Sequence, residues 1–218
     1  MPPEDQSVGA VSRYAQPVSL RVWRVRVTWA TFCDRSPGLD FYLRRVRAMH
    51  RVLGIPPAYC ESGMSLCREA TELVAVPGCG PKREERLMAT SIKQRWLAMR
   101  AAAACSSITL TVKSSYRSLE DQALLLRDYL VTGQSIEQLL TSIAAPGYSQ
   151  HHTGRALDIG TDEGDDDFES SAAFQWLKQN AHTYGFVLSY PRDNAAGIIY
   201  EPWHWYCREP DTASQQRV

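Results

Sequence analysis

Ser149-Gln150-His151-His152-Thr153-Gly154-Arg155-Ala156-Leu157-Asp158 is the stretch on which the fold turns. Its first half is polar, carries Gly154 and follows Gly147, and so reads as loop, whereas Ala156–Ile159 reads as a short strand. The loop gives His151 and Asp158 enough reach to converge on one point. A second imidazole, His204, lies three residues after Glu201 in the late run YEPWHWY, residues 200–206. On a flat strand that odd offset sends the two side chains to opposite faces. Glu201 and His204 can therefore act together only if Pro202 bends the strand or confines it to an edge.

Outward from this stretch, the chain reads as helices followed by grouped strands. Leu39–Ile55 spaces its apolar residues as a helix does and stops at Gly54 and Pro56. Leu73–Val76 is a short apolar run before Pro77, and Leu87–Ala104 is helical in propensity. Ile108, Leu110 and Val112 alternate with Thr109 and Thr111 as in a strand. Ser118 with Asp121 makes a capping-box pattern opening a helix that ends near Gly133, and Ser135 with Gln138 starts a shorter one by the same logic. Phe174, Leu177, Ala181 and Tyr184 share a helical face closed by Gly185, and strands are expected at Phe186–Tyr190 and Ile198–Tyr206. This order predicts an α+β domain, an antiparallel sheet backed by helices on one face.

With 218 residues the chain suits one domain and a short appended segment. Its 24 basic and 24 acidic residues balance, which does not favour nucleic acid, and no apolar run is long enough to predict a membrane span. Arg21, Arg24 and Arg26 interrupt any signal-like apolar stretch, and the valine alternation around them reads equally well as a strand. As given, the chain is expected to be cytoplasmic, or periplasmic or at the cell surface if its start is misassigned; its oligomeric state is unknown. The six cysteines lack zinc-finger spacing and are expected to be reduced and mostly buried, with Cys60 and Cys67 the one plausible local bridge. His50 and His182 are expected on helix surfaces, and the acidic stretch Asp162–Asp167 in a solvated loop.

A catalytic zinc site takes three protein ligands of imidazole and carboxylate type and leaves a fourth position for water. His151, Asp158 and His204 fill that description, although a surface histidine and a capping aspartate satisfy the same spacing. The motifs add to this. SQHHTGRALD reads as S-x-H-x-x-G-x-A-x-D and EPWH as E-x-x-H, and together they resemble the signature of the VanY-type D-alanyl-D-alanine carboxypeptidases of the LAS metallopeptidase family. Tyr116-Arg117-Ser118 resembles that family's upstream arginine motif. The resemblance runs from about Leu73 to Tyr206, with three motifs in the family's order. After the last histidine the family commonly has an arginine, whereas here Trp205, Tyr206 and Cys207 precede Arg208.

The resemblance implies a LAS/hedgehog-like zinc peptidase fold. It implies Zn2+ on His151, Asp158 and His204, Glu201 as catalytic base, and Arg117 as the group that stabilises negative charge on the substrate. Ser149, Gln122 and Trp203 become candidate substrate contacts, and His152 is a neighbour of a ligand and not itself one. The implied domains are residues 1–70 as an N-terminal extension, 71–208 as the catalytic domain and 209–218 as a disordered tail. The implied substrate is a peptidoglycan stem peptide or muropeptide ending in D-Ala-D-Ala. An L,D-carboxypeptidase or D,D-dipeptidase would use the same site, and a degenerate wall-binding module would have lost turnover. Retention of Glu201 and Arg117 beside the three ligands argues against the last.

Overall fold

The computed structural model of the chain describes residues 39–77, 86–161 and 167–208. The amino-terminal valine alternation, Cys33, Cys79, residues 162–166 of the acidic stretch and the tail 209–218 lie outside the described residues. In chain order the elements are α1 (Leu39–Leu53), β1 (Leu73–Ala75), β2 (Leu87–Ala89), α2 (Lys93–Cys105), β3 (Thr111–Ser114) and α3 (Leu119–Leu130). They continue with α4 (Ile136–Leu140), β4 (Ala156–Gly160), α5 (Ala172–Asn180), β5 (Phe186–Leu188) and β6 (His204–Cys207). β1 and β2 form an antiparallel pair, and the other four strands form an antiparallel sheet in the order β3-β4-β6-β5. The expected α+β architecture is the one observed.

Two apolar clusters divide the labour. Side chains alternate along the strands, so Leu157 and Ile159 of β4 and Trp205 and Cys207 of β6 point together into one core. Trp96 and Met99 from α2 and Phe174 and Leu177 from α5 cover that face. Burying a side chain such as Phe174 contributes on the order of 1.5–3 kcal/mol. A second cluster joins Tyr42, Val46 and Met49 of α1 to Leu119 and Leu126 of α3 and Leu139 of α4. α1 thus packs directly against α3. Ion pairs reinforce the contact, with Arg45 bonded to Glu69 at 3.0 Å and to Glu120 at 2.6 Å.

Both expected capping boxes form, at Ser118–Asp121 and at Ser135–Gln138. Several other expectations need correction. Leu87–Ala89 is strand and not the start of α2, because its partners Leu73–Ala75 lie alongside and tertiary pairing overrides helical propensity. The strand expected from Ile108 begins at Thr111, because the Ile108 N–H is used in closing α2 through the Ala103 carbonyl at 3.0 Å. The last strand begins at His204 and not at Ile198, since the Ile199 and Glu201 N–H groups bond to the carbonyls of Thr141 and Tyr190 in loops. His50 is buried, not superficial, and its Nε2 contacts the Pro146 carbonyl at 2.7 Å. Cys60, Cys67, Cys105 and Cys207 are free thiols, so the considered bridge does not form, and of these only Cys207 is buried. Among the described residues no helix is long and apolar enough to cross a membrane.

Candidate active site

The register of the sheet places the central groups in one row. Asp158 of β4 pairs across the ladder with His204 of β6 on one side and with Ser114 of β3 on the other. Directly paired residues project to the same face. Ser114 reaches this row through an irregularity in β3 between Val112 and Ser114, where two residues of β3 span one step of β4. Val112 consequently stays in the core while Ser114 joins the polar face.

His151 enters the row from a 3-10 turn, Gln150–Thr153, that ends at Gly154 with φ 63°. A Cβ on Gly154 would lie 2.8 Å from the Ala89 nitrogen, so only glycine fits this crossing of the loop over β2. The Ala89 N–H donates to the Gly154 carbonyl at 2.8 Å and fixes the turn. Glu201 and His204 meet because Pro202 and Trp203 form a turn before β6 begins, with the His204 N–H donating to the Glu201 carbonyl at 3.1 Å. The required irregularity at Pro202 is therefore present. It leaves the Glu201 carboxylate 3.7 Å from His204 Nδ1.

One ligand atom from each of His151, Asp158 and His204 lies within 4.8 Å of the others, and all three residues are buried. His151 Nδ1 lies 2.7 Å from the Ser115 carbonyl. A carbonyl can only accept, so Nδ1 carries the proton and Nε2 turns its lone pair toward Asp158 Oδ1, 3.4 Å away. His204 Nδ1 is 3.0 Å from the same oxygen. Burial would raise the Asp158 carboxyl, but His151 and His204 beside it hold it well below the usual carboxylate range. Burial lowers the His151 pKa, against the pull of Asp158. An imidazole lone pair and the Asp158 carboxylate aimed at one point repel unless a proton or a metal cation stands between them. The donor set of two nitrogens and one carboxylate oxygen suits Zn2+.

His152 is placed otherwise. Its Nδ1 contacts the Arg117 carbonyl at 2.7 Å, and its Nε2 accepts the Gly147 N–H at 3.0 Å. Both nitrogens are thereby engaged, and burial pushes its pKa down to about 4. It ties the His151 turn to the Arg117 turn, and both of its nitrogens point away from the cluster of His151, Asp158 and His204.

Arg117 donates from its two terminal nitrogens to Gln122 Oε1 at 2.8 Å and to Ser114 Oγ at 2.9 Å. Its backbone N–H donates to the His151 carbonyl at 3.3 Å. Burial lowers the guanidinium pKa, while Asp158 and Glu201 raise it. Gln122 requires correction as a substrate contact. It is 1% exposed, and its amide is committed to Arg117 and, through Nε2, to the Ala144 carbonyl at 2.7 Å. It holds the guanidinium in place. Ser149 is buried next to His151, whereas Trp203 is half-buried and packs against the sheet core. His182 is exposed, as expected.

The motifs assign no role to the Ser115 carbonyl beside His151, to Ser114 beside Arg117, or to Gln150 and Ser189 beside His204. Ser114 and Ser115 directly precede the Tyr116-Arg117-Ser118 motif. Gln150 lay inside the histidine motif, where a polar residue beside a ligand was the available signal.

Residues 85–208 match the family model described as VanY, D-alanyl-D-alanine carboxypeptidase. A D-alanyl-D-alanine carboxypeptidase of Enterococcus faecium is 35% identical over 95 residues, which is 43% of this chain and 28% of that protein. The chain spans at most about half the length of the first curated relatives it matches. Among solved structures, the LD-carboxypeptidase LdcB superposes with a TM-score of 0.58 at 28% identity, covering 67% of this chain and 72% of that one. The vancomycin-resistance D,D-pentapeptidase VanY in complex with Zn(II) gives a TM-score of 0.52 at 25% identity, covering 66% and 82%. With its family model matched over more than half the chain, and with the His-Asp-His cluster at the centre of that match, this protein belongs to the VanY family of D-alanyl-D-alanine carboxypeptidases.

Proposed function

We propose that the chain is a zinc-dependent carboxypeptidase that removes the terminal D-Ala from peptidoglycan stem peptides ending in D-Ala-D-Ala. The observation that carries this reading is the convergence of His151, Asp158 and His204 within 4.8 Å, with the Glu201 carboxylate beside them and Arg117 bonded to the same loop. Zn2+ held by the three ligands would lower the pKa of a bound water to about 7 and polarise the scissile carbonyl.

The remaining steps belong to the chain's own groups. The Glu201 carboxylate can only accept a hydrogen bond when ionised, so it takes the proton of the attacking water and returns it to the leaving amine. Arg117 presents a planar fork whose orientation is set by Gln122 and Ser114, suited to the terminal carboxylate or the developing oxyanion. Burial strengthens both interactions, because water competes less for the charges.

A second reading, an L,D-carboxypeptidase, is favoured by the similarity to LdcB. One experiment separates the two. The kcat/KM of the zinc-loaded protein is measured on a stem peptide ending in D-Ala-D-Ala, on its amide, on its L-Ala-terminated isomer, and on the tetrapeptide with D-Ala after an L-centre. Preference for the D-Ala-D-Ala acid supports the proposal. Preference for the tetrapeptide supports the second reading, and equal rates on acid and amide reject carboxypeptidase action in favour of an endopeptidase.

A further inference from the structure

Gln150 lies immediately before the ligand His151 on the same 3-10 turn, yet its side chain reaches a different ligand. Its Oε1 is 3.0 Å from His204 Nε2 and accepts the Ser189 hydroxyl at 2.6 Å. The second contact has the length of an O–H···O bond and is shorter than the N–H···O range, which places the amide oxygen and not its nitrogen at this point. Ser189 is itself fixed to His204, its backbone N–H donating to the His204 carbonyl at 3.3 Å. The polar row across the sheet therefore continues from Ser114, Asp158 and His204 to Ser189, with Gln150 closing its far end.

An imidazole has one proton to place when neutral. An acceptor at Nε2 draws the proton there and leaves the Nδ1 lone pair facing Asp158 Oδ1, 3.0 Å away. With the amide turned over, its NH2 would donate to Nε2, the proton would move to Nδ1, and His204 would hydrogen-bond to Asp158 in place of offering a ligand atom. The amide orientation thus selects between a metal-ready ring and a closed Asp–His pair. The Ser115 carbonyl acts on His151 in the corresponding way, through the opposite ring nitrogen.

We infer that Gln150 is a positioning residue for zinc, its side-chain carbonyl fixing the tautomer and ring orientation of His204 so that Nδ1 is the ligand atom. This rests on the zinc reading above. Because one short turn carries both His151 and the group that orients His204, the two ligands are set by one piece of backbone.

The test is zinc affinity, read by competition between the apoprotein and a chromophoric chelator, with the unfolding temperature of each apoprotein measured alongside. Gln150→Leu removes the acceptor and should weaken zinc binding about 10- to 100-fold, the usual effect of losing an outer partner of a metal-bound histidine. Gln150→Glu keeps an acceptor of the same reach and should bind zinc at least as tightly as the wild type. Ser189→Ala should weaken binding by less than Gln150→Leu. In a His204→Ala background, Gln150→Leu should change affinity by no more than about twofold, since its effect passes through that ring. Wild-type affinity in Gln150→Leu overturns the inference, as does the same loss with and without His204. If Gln150→Leu does not fold, Gln150→Glu decides, and a 10-fold or greater loss of zinc in that variant overturns the inference. A wild-type protein that takes up zinc stoichiometrically while Gln150 proves silent leaves the metal site standing and removes only this role. A wild-type protein that takes up none overturns both.

Discussion

The ligand row on β4 and β6 and the Arg117 corner ahead of α3 serve the same centre but are held by different means. The row is set by strand register: Asp158 opposite His204 is a consequence of the ladder, and the core beneath it, Leu157, Ile159 and Trp205, locks that register. The Arg117 corner has no ladder through it. It depends on side chains from distant parts of the sequence, with Glu69 accepting the Leu119 N–H at the start of α3 at 2.9 Å and Arg45 bridging Glu69 to Glu120. Metal binding should therefore survive damage to the helical half, whereas turnover should need both halves.

The largest expected effect comes from breaking the row. His151→Ala, Asp158→Ala and His204→Ala should each lower bound zinc and reduce hydrolysis to background, and chelation of the wild type should do the same until zinc is restored. His182→Ala, on an exposed turn, should leave both unchanged. Stoichiometric zinc in His204→Ala would reject the site as assigned. Next comes the base. Glu201→Gln keeps the shape and should retain zinc while kcat falls by about 10² to 10⁴. Full turnover in that variant would remove Glu201 from the mechanism.

On the helical side, Arg117→Lys keeps the charge and loses the fork. It should lower kcat/KM by about 10² to 10³, nearly as much as Arg117→Ala, with zinc retained in both. Zinc lost from Arg117→Ala would show that the two halves are not separable. Glu69→Gln is milder. Replacing a charge-assisted bond to the Leu119 N–H by a neutral one should cost roughly 1 kcal/mol, read as a fall of a few degrees in unfolding temperature with zinc affinity unchanged. An unfolding temperature equal to the wild type would show that α3 does not depend on this anchor.

The smallest effect is a pH dependence in the helical cluster. Burial holds the His50 imidazole below its ordinary value of 6.5, against the pull of the Pro146 carbonyl. The unfolded chain then binds more protons than the folded one below that value, so the contribution is complete above pH 6.5 and is lost as pH falls toward the folded pKa. Comparing unfolding temperatures of the apoproteins at about pH 7.5 and about pH 5, the wild type should lose more than His50→Gln. Equal losses would place the acid sensitivity elsewhere.

The local rules written in the sequence carried far. Ser118 and Ser135 each cap a helix through a residue three positions on, and such bonds need no partner from the rest of the fold. The strand read at Ala156–Ile159 is β4, and the motifs carrying His151, Asp158, Glu201 and His204, through their resemblance to a known family, pointed to the residues the fold brings together. What failed locally failed because a distant segment intervened. Leu87–Ala89 has helical propensity but is captured by Leu73–Ala75, and Gln122 resembled a substrate contact until Arg117 and Ala144 occupied its amide. His50 sits on an amphipathic helix and became buried only when Tyr59 and Tyr148 packed against its ring. By itself the sequence determined which residues can bind a metal and move a proton, since that is a property of the side chains. Only the tertiary structure decided which nitrogen of each histidine faces Asp158, because the ring proton follows an acceptor that lies 36 residues from His151 and 54 from His204.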